Sequence, residues 1–267
     1  MKKQGIEDIT KQLQQGVKDV FSSDRYKNYL DCMSKFYHYS ASNCLLIAMQ
    51  CPEASLIAGY KAWKTKFNRN VRKGEKAIKI IAPCPHKKTI TDDAGNETEI
   101  TFTTYRAACV FDVSQTEGQE LPTMCNTLTG SVAGCVDLIR KLEAISPVPV
   151  RYESIKKANG YFNFVDKVIA IKENMPELQT VKTLVHEIVH AVLHNKETGE
   201  EKDAARNTKE VQAESVAYIV CSYLDLDTSE YSFEYVAGWS KDKEMKDLQD
   251  SMNVIQRTAK QIIDAIV

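Results

Sequence analysis

The sequence predicts an α+β fold, in which N-terminal helices and a small β-sheet are followed by a second domain that again mixes helices and strands. Apolar residues recur at helical spacing in residues 5–50, whereas residues 77–113 are rich in β-branched and aromatic residues. After residue 128, helix-like and strand-like segments alternate. A chain of 267 residues is long enough to bury two cores.

The first domain is expected to contain a β-hairpin. Its predicted elements are strands at 77–82, 100–105 and 110–113, with a turn at 92–96. Gly118 and Pro122 then interrupt the pattern. We therefore predict a boundary near residues 118–128, with domains at 1–120 and 128–267.

The second domain is predicted to begin with a helix near 130–143. A compact hairpin follows, with Tyr161–Phe164 and Val168–Ile171 as its strands. From about residue 242 onwards, apolar residues recur at three- and four-residue steps, which indicates an amphipathic helix packed on the core.

The most informative motif is His186-Glu187-Ile188-Val189-His190, an H-E-x-x-H pattern. Residues four apart on a helix lie one turn above each other on the same face, so both imidazoles can bind one ion. Glu187 can reach a water molecule at that ion and act as general base and acid. The motif therefore predicts a Zn2+ site with His186 and His190 as ligands and Glu187 as the catalytic residue of a hydrolase.

A buried stripe supports the helix that carries this motif. It consists of Val181, Leu184, Val185, Ile188 and Val192. His186, His190 and His194 fall on the opposite side. His194 lies about 12 Å along the helix from His186, too far for both to bind one ion. We therefore expect His194 in the cleft wall or in solvent, and a third ligand from another segment.

The helix-like segment 209–221 is the expected source of that ligand. On a helix, Glu210 and Glu214 share a face with small and apolar residues, namely Ala213, Ala217, Val220, Cys221 and Leu224. Two carboxylates on such a face need a cation or hydrogen-bond donors, which a metal ion and a ligand imidazole would supply. An exposed helix with ordinary acids four residues apart is the alternative.

A basic segment in the first domain predicts a nucleic-acid surface. Between Lys61 and Lys79, eight basic residues accompany a single acid, Glu75. Aromatic residues lie in or near this segment, and single-stranded nucleic acid favours that mixture because bases stack on rings while cations follow phosphates. A solvated basic face over core aromatics is the alternative. The candidate DNA-binding residues are Tyr39, Asn43, Trp63, Lys64, Arg69, Arg72, Lys73 and Lys76.

Composition excludes several classes of protein. A formal net charge of −1 does not mark the whole chain as nucleic-acid binding. No apolar run approaches the roughly 18 residues of a membrane span, and residues 1–8 lack the apolar core of a signal peptide. The eight cysteines form no C-x-x-C pair and are predicted to be reduced core thiols. We therefore expect a cytoplasmic protein with no membrane partner.

Four motifs of the first domain occur in an order and spacing that match a known family. They are Tyr39–Leu46, Gly59–Trp63, Val71–Lys76 and Phe111–Thr116. These motifs resemble the N-terminal domain of ArdC-type antirestriction proteins, which implies binding of single-stranded DNA. That family's C-terminal domain is a zincin-like metallopeptidase related to the ImmA/IrrE group, so both halves of the chain resemble one architecture.

The same resemblance implies roles in the second domain. Glu210 lies twenty residues after His190, as in thermolysin-like gluzincins, which implies that Glu210 binds the metal and Glu214 orients a ligand histidine. The reverse assignment is the alternative. The ImmA/IrrE-like pattern E-x-x-A-[N/D] falls on Glu210, Ala213 and Glu214, where this chain has Glu in place of Asn or Asp. In zincin-like enzymes the strand before the motif helix forms the cleft edge, for which Val168–Ile171 is the candidate.

Together these features predict a mobile-element antirestriction protein that binds single-stranded DNA and hydrolyses a protein or peptide whose identity the motifs do not encode. Tyr218, Tyr223 or His194 is expected to stabilise the oxyanion. The alternative is a non-proteolytic, DNA-binding protective protein with a structural or vestigial metal site. Glu187 favours catalysis, because a structural site needs a closed fourth ligand and no base.

Overall fold

The computed structural model describes residues 2–91, 97–121, 132–201 and 203–267. Its helices are α1 (Lys2–Asp19), α2 (Ser23–Lys35), α3 (Ala41–Gln50), α4 (Tyr60–Phe67), α5 (Val132–Ile145), α6 (Glu177–Leu193), α7 (Arg206–Tyr223), α8 (Val236–Ser240) and α9 (Met245–Ile266). Its strands are β1 (Ile57–Gly59), β2 (Arg69–Val71), β3 (Ile78–Thr91), β4 (Glu97–Asp112), β5 (Thr116–Gly118), β6 (Val150–Glu153), β7 (Gly160–Asn163) and β8 (Val168–Lys172). This mixture of helices and small sheets confirms the predicted α+β class. Within the described residues, no helix combines the length and the hydropathy needed to span a bilayer.

The chain forms two compact units. The first unit comprises residues 1–18 and 45–121, and the second comprises residues 19–44 and 122–267. The first domain predicted from the sequence, residues 1–120, therefore differs from the first unit by one segment, residues 19–44. Part of the predicted boundary, residues 122–131, lies outside the described residues.

The segment that contains α2 belongs to the second unit because its side chains bond to α7. The hydroxyls of Tyr26 and Ser215 are hydrogen bonded at 2.8 Å, and Tyr218 donates to the Asp31 carboxylate at 2.6 Å. The Tyr26 ring also meets the Phe233 ring at 5.4 Å in an edge-to-face contact. The hydrogen-bonded partners are 189 and 187 residues apart in sequence, so helical periodicity does not indicate them.

The first unit contains the predicted hairpin, with longer strands than the sequence indicates. β4 lies between β1 and β3 in an antiparallel sheet, and β3 pairs with β4 from Ile78↔Val110 to Thr91↔Glu97. The predicted strand at 110–113 is largely the end of β4. The predicted turn at 92–96 lies outside the described residues. Ile78, Ile80 and Val110 are buried at one end, and most of the remaining hairpin is exposed.

Trp63 of α4 is a core residue of the first unit. Its side chain is 0% exposed, its Nε1–H donates to the Phe111 carbonyl at 2.9 Å, and its ring meets Phe67 at 4.9 Å. A ring in this environment has no face on which a base could stack. The prediction that Trp63 contacts DNA is therefore wrong, because the helix places the ring against β4 while the neighbouring lysines point to solvent.

We expect Trp63→Ala to lower the free energy of unfolding by about 3–5 kcal/mol, since it removes a large buried side chain and leaves a cavity and an unpaired carbonyl. Tyr60→Ala is the matched control, because Tyr60 lies on the same helix and is 61% exposed. Urea denaturation of both variants measures the difference. A Trp63→Ala variant as stable as the control would contradict the placement of this ring.

The Phe111–Thr116 motif has a structural role in the first unit. Asp112 accepts hydrogen bonds from the backbone amides of Ser55, Leu56 and Ser114 at 2.8, 3.1 and 2.8 Å. Burial opposes ionisation of Asp112, but these bonds prevail and hold the pKa of its carboxyl below the usual range. The motif thereby fixes the end of β4 against the loop that precedes β1.

The sheet of the second unit has β8 at its centre, between β6 and β7. β8 pairs in parallel with β6 and antiparallel with β7, and Val168–Ile171 is buried. The predicted hairpin is therefore confirmed, but the prediction that Val168–Ile171 forms an edge is wrong. The sequence does not indicate that β6 pairs with the second side of β8. Because it does, β7 is the edge strand next to the motif helix.

The motif helix α6 packs against the sheet, α5 and α7. Val181, Leu184, Val185 and Ile188 are buried, as the periodicity predicts. Val192, in the last turn, is 37% exposed, so the predicted stripe ends one turn early. α9 packs against α5 and α7 through its predicted apolar face.

Candidate metal centre

Three side chains predicted to bind metal converge between α6 and α7. His186 Nε2 and His190 Nε2 lie 3.0 Å apart, and the Glu210 Oε2 atom lies 3.6 Å from the first and 3.8 Å from the second. The two imidazoles come from adjacent turns of α6, and Glu210 comes from the first turns of α7. Within the described residues, these three form a His/Glu group whose donor atoms lie within 4.8 Å of one another.

These distances fit a tetrahedral cation. Ligand atoms about 2.0–2.2 Å from a zinc ion lie roughly 3.3–3.5 Å from one another in tetrahedral geometry. The three observed separations, 3.0, 3.6 and 3.8 Å, bracket that value. The residues also line a cavity of about 850 Å³, so the fourth side of a cation held here faces open space. An open fourth position is typical of catalytic rather than structural sites.

Glu214 lies beside the outer ring nitrogen of His186. Its Oε2 atom lies 3.3 Å from His186 Nδ1, the ring nitrogen that points away from Glu210. A proton held at Nδ1 would leave Nε2 available to a cation, which would replace the second proton of the imidazolium. Burial lowers the pKa of His186, but the bonds to Glu210 and Glu214 outweigh burial and raise it to about 10. Hydrogen bonds from His186 and His190 hold the pKa of Glu210 below its usual range.

His190 is oriented by a chain of hydrogen bonds that the sequence does not predict. His194 Nδ1 lies 2.8 Å from His190 Nδ1, and His194 Nε2 lies 2.9 Å from Gln212 Oε1. The Gln212 amide donates to Glu201 and Ser251 at 3.5 and 3.4 Å, so its oxygen accepts from His194 Nε2–H. His194 Nδ1 is then an acceptor, and His190 carries its proton on Nδ1 with Nε2 free to bind a cation.

His194 is buried, with 6% exposure, and it lines the cleft cavity, so of the two predicted positions the structure shows the cleft wall and not solvent. It is the residue that follows α6, and its amide donates to the His190 carbonyl at 3.0 Å. Burial is the main cause that lowers the pKa of His194 to about 4, so its imidazole is neutral. A neutral ring is required if Nδ1 is to accept a hydrogen bond. The eight-residue spacing excludes His194 as a ligand of the same ion but does not reveal this contact.

We expect His194→Leu to weaken metal binding by about 10–100-fold, the usual effect of removing a hydrogen-bond partner of a ligand histidine. Competition with a fluorescent zinc chelator measures the affinity. His38→Leu is the control, because His38 is an exposed histidine whose Nδ1 lies 3.3 Å from Lys260 Nζ. Equal affinities in the two variants would show that His194 does not orient His190.

Glu187 lies beneath the edge strand β7. Its carboxylate accepts a hydrogen bond from the Phe162 backbone N–H. Burial raises the pKa of Glu187, while His186 and His190 partly oppose that rise. Such a carboxylate is a stronger base than an exposed one, as proton transfer near neutral pH requires.

Gly160 allows β7 to lie this close to α6. A Cβ atom at this position would lie 2.7 Å from the Thr183 Cγ2 atom and 3.0 Å from the Ala170 carbonyl oxygen. Lys172 N–H donates to the Asn159 carbonyl, so these two residues form a hydrogen-bonded pair between β7 and β8. Because hydrogen-bonded pairs alternate along an antiparallel ladder, the backbone N–H and C=O groups of Gly160 and Phe162 point away from β8. The free edge of β7 therefore faces the cleft.

The three candidates for stabilising an oxyanion are engaged with other partners. Tyr218 is 1% exposed and bonded to Asp31, and Tyr223 lies against Tyr37 at 4.9 Å. His194 is bonded to His190 and Gln212, as described above. Tyr231, which no sequence motif indicates, lines a cavity together with His186 and Glu187. Tyr231 lies in the loop after α7, where no periodic pattern indicates its position.

The candidate DNA-binding residues are divided between the units. Tyr39 and Asn43 belong to the second unit, where Asn43 is 8% exposed, and the other six belong to the first. Arg69 is committed to the sheet of β2 and β5, because its guanidinium donates to the Thr116 hydroxyl at 2.7 Å and to the Gln119 carbonyl at 2.6 Å.

Arg72 is bonded to Glu75 and to the Ser114 carbonyl at 2.7 and 2.6 Å. Lys64, Lys73 and Lys76 are exposed. The first unit also exposes Tyr60, one of the aromatic residues near the basic segment, together with Phe102 and Tyr105, which the sequence does not indicate. Tyr60 and Tyr105 are 61% and 63% exposed, so they present the ring faces that Trp63 lacks.

Comparison with known proteins assigns both halves of the chain. Residues 145–260 match the IrrE N-terminal-like domain of peptidase family M78, and residues 1–111 match the N-terminal domain of anti-restriction factor ArdC. The second half therefore belongs to the class of IrrE-like, metallopeptidase-type domains, with His186, Glu187, His190 and Glu210 inside the matched range. Taken together, the two matched domains support an ArdC-type antirestriction protein.

Two individual proteins are similar to this chain. The antirestriction protein ArdC of plasmid R388, in its metal-free crystal structure, has a TM-score of 0.51 at 20% identity, over 85% of this chain and 82% of that chain. That likeness concerns the fold. The uncharacterized protein pXO2-81 of Bacillus anthracis is 26% identical over 277 residues, which cover 88% of this chain and 46% of that protein. The chain thus spans about half the length of this curated relative.

Proposed function

We propose that this protein is a zinc-dependent metallopeptidase that acts as an antirestriction factor of a mobile element and binds single-stranded DNA. The observation that carries the proposal is the convergence of His186, His190 and Glu210 on one point, with Glu187 beside it and an open cavity in front. Two imidazoles and one carboxylate are the donor set of a catalytic zinc ion. The two matched domains support the antirestriction role.

Zinc bound by these ligands would supply Lewis acidity, which polarises a peptide carbonyl and acidifies a water molecule. Glu187 takes the proton from that water and transfers it to the leaving amine. Glu214 and His194 hold the two imidazoles in the tautomers that direct Nε2 inward. Tyr231 keeps its proton, because burial raises the pKa of its hydroxyl, and we assign it as donor to the oxyanion.

The β7 edge orients the substrate in this proposal. An extended peptide can pair with the outward-facing backbone groups of Gly160 and Phe162 and thereby present its carbonyl beside Glu187. Backbone pairing is independent of side chains, so specificity must come from cavities along the cleft.

A proteome-derived peptide mixture tests the hydrolytic part of the proposal. The full chain is loaded with one equivalent of zinc, incubated with the mixture, and analysed by mass spectrometry for new termini. We expect new termini that disappear with a zinc chelator and return when zinc is restored. A zinc-loaded protein that produces none from a mixture of thousands of peptides would contradict peptidase activity.

Exposed cations and rings of the first unit support the DNA-binding part. Lys64, Lys73 and Lys76 are exposed, and Tyr60 and Tyr105 offer ring faces on which unpaired bases can stack. A reducing, cytoplasmic location also belongs to this proposal. None of the cysteines within the described ranges forms a disulfide, which agrees with such a compartment.

We expect Lys73→Gln combined with Lys76→Gln to weaken binding of an oligothymidine and to flatten its salt dependence. Removing two phosphate contacts lowers the magnitude of the slope of log K against log salt by about 1.4 for a single strand. Lys11→Gln combined with Lys18→Gln is the control, because both lysines are exposed on α1 of the same unit. Identical slopes for the two double variants would exclude Lys73 and Lys76 from the DNA surface.

A further inference from the structure

A second cavity adjoins the metal centre, and a buried lysine lines it. Lys182 lies on α6 four residues before His186, which is one turn, or about 6 Å, along the helix axis. Its side chain is 7% exposed. The cavity measures about 270 Å³ and is lined by Lys182, Gln179, Thr183 and Tyr231, with His186 and Glu187 among its other lining residues.

The Lys182 ammonium has a partner that is itself mostly in solvent. Its Nζ atom lies 3.3 Å from Glu230 Oε2, and the Glu230 side chain is 72% exposed. Nζ also lies 5.5 Å from the centre of the Tyr231 ring. A buried ammonium requires a compensating anion, whereas an exposed carboxylate gains little from such a pair. Glu230 can therefore be exchanged for another carboxylate.

From these contacts we propose that the cavity beside Lys182 is a subsite for an acidic side chain of the substrate, whose carboxylate replaces Glu230 on Lys182. The inference rests on the proposed function and names its substrate class, a peptide with Asp or Glu next to the cleaved bond. The cavity is smaller than the roughly 300–1,000 Å³ of sites for whole small molecules, so it fits one side chain.

The other groups that line the cavity agree with a carboxylate at its far end. Gln179 and Thr183 supply an amide and a hydroxyl near Lys182, and their side chains are bonded to each other at 3.3 Å. The other two acids that line this cavity are already engaged, since Glu214 contacts His186 and Glu187 accepts from Phe162. Lys182 thus supplies the positive charge that an incoming carboxylate meets.

Two peptide hydroxamates that differ in one group test the subsite. Both bind a catalytic-type metal ion through the hydroxamate, and the adjoining residue is Glu in one and its neutral isostere Gln in the other. Calorimetry on the zinc-loaded full chain measures each affinity. We expect the Glu compound to bind about tenfold more tightly than the Gln compound. Equal binding of the two would overturn the subsite while leaving the metal site intact.

Variants on the two partners of the ion pair should act in opposite directions. Lys182→Met keeps the buried stem and removes the charge, so the preference for Glu should fall to within about twofold. Glu230→Gln removes the competing carboxylate and should enlarge that preference. It alters an exposed side chain, so it remains a valid test if Lys182→Met destabilises the fold. A preference unchanged in both variants would overturn the assignment.

Lys196→Met is the matched control, because Lys196 lies 3.9 Å over the Phe164 ring and lines the other cavity of the cleft. It removes the same charge and should leave the preference unchanged. A zinc-loaded chain that binds neither hydroxamate would contradict the proposed function itself, and the subsite would fall with it. That outcome is distinct from equal binding of both compounds.

Discussion

We expect His190→Ala to yield a purified protein without stoichiometric zinc. The substitution removes one of three donor atoms that lie within 4.8 Å of one another, and two donors hold zinc far more weakly than three. We expect a loss of affinity greater than the roughly 10–100-fold that follows removal of an outer hydrogen-bond partner. Plasma mass spectrometry of the dialysed protein measures zinc per chain. His186→Ala should behave in the same way.

The exposed histidine His38 provides the control for this experiment. His38→Ala removes an imidazole from the same unit and should retain one zinc per chain. Full zinc in His190→Ala would contradict the metal centre, since no change of side-chain rotamer restores a nitrogen donor at that position. Zinc lost from all three variants would instead indicate non-specific binding to surface histidines.

The local part of this site can be predicted from the sequence, because it depends on one helix at a time. The spacing of His186 and His190 places both imidazoles on one face of α6, and the spacing of Glu210 and Glu214 places both carboxylates on one face of α7. These faces of α6 and α7 meet because the apolar residues beside them on each helix are buried. The structure brings the four side chains together, and their roles at the metal remain a proposal.

Contacts between distant segments could not be predicted in this way. Periodicity indicates that β7 and β8 form a hairpin, but β6 makes β8 the central strand by pairing in parallel from a separate segment. The link from His190 through His194 to Gln212 depends on how α6 ends and how α7 crosses it. Neither arrangement has a local sequence signal.

Composition also fails to show which side of a segment is buried. The basic segment contains Trp63 and several lysines, and only the fold shows that the ring is inside while Lys64 is exposed. Arg69 and Arg72 count toward the positive charge of the segment, yet their guanidinium groups hold β5 and its flanking turn through hydrogen bonds. The count of arginines in the sequence therefore overstates the number of guanidinium groups available to a ligand.

Glu187→Gln should abolish peptide cleavage while zinc remains bound. The amide keeps the size of the side chain but cannot take a proton from water, and loss of a general base lowers the rate by about 10²–10⁴-fold. The three metal donors are untouched, so zinc per chain should remain at one. Initial rates on a peptide identified from the mixture, measured beside zinc content, separate loss of the base from loss of the metal.

The same variant decides between proteolytic and non-proteolytic protection. If the antirestriction role depends on hydrolysis, Glu187→Gln should fail to protect incoming DNA from a restriction system in a conjugation assay. Glu173→Gln is the control, because Glu173 is an exposed residue between β8 and α6. This control should protect DNA as well as the unaltered chain does. Undiminished protection by a zinc-bound, cleavage-deficient Glu187→Gln would assign protection to DNA binding. In that case the Lys73→Gln and Lys76→Gln double variant, and not Glu187→Gln, should lose protection, because coating of the strand depends on its phosphate contacts.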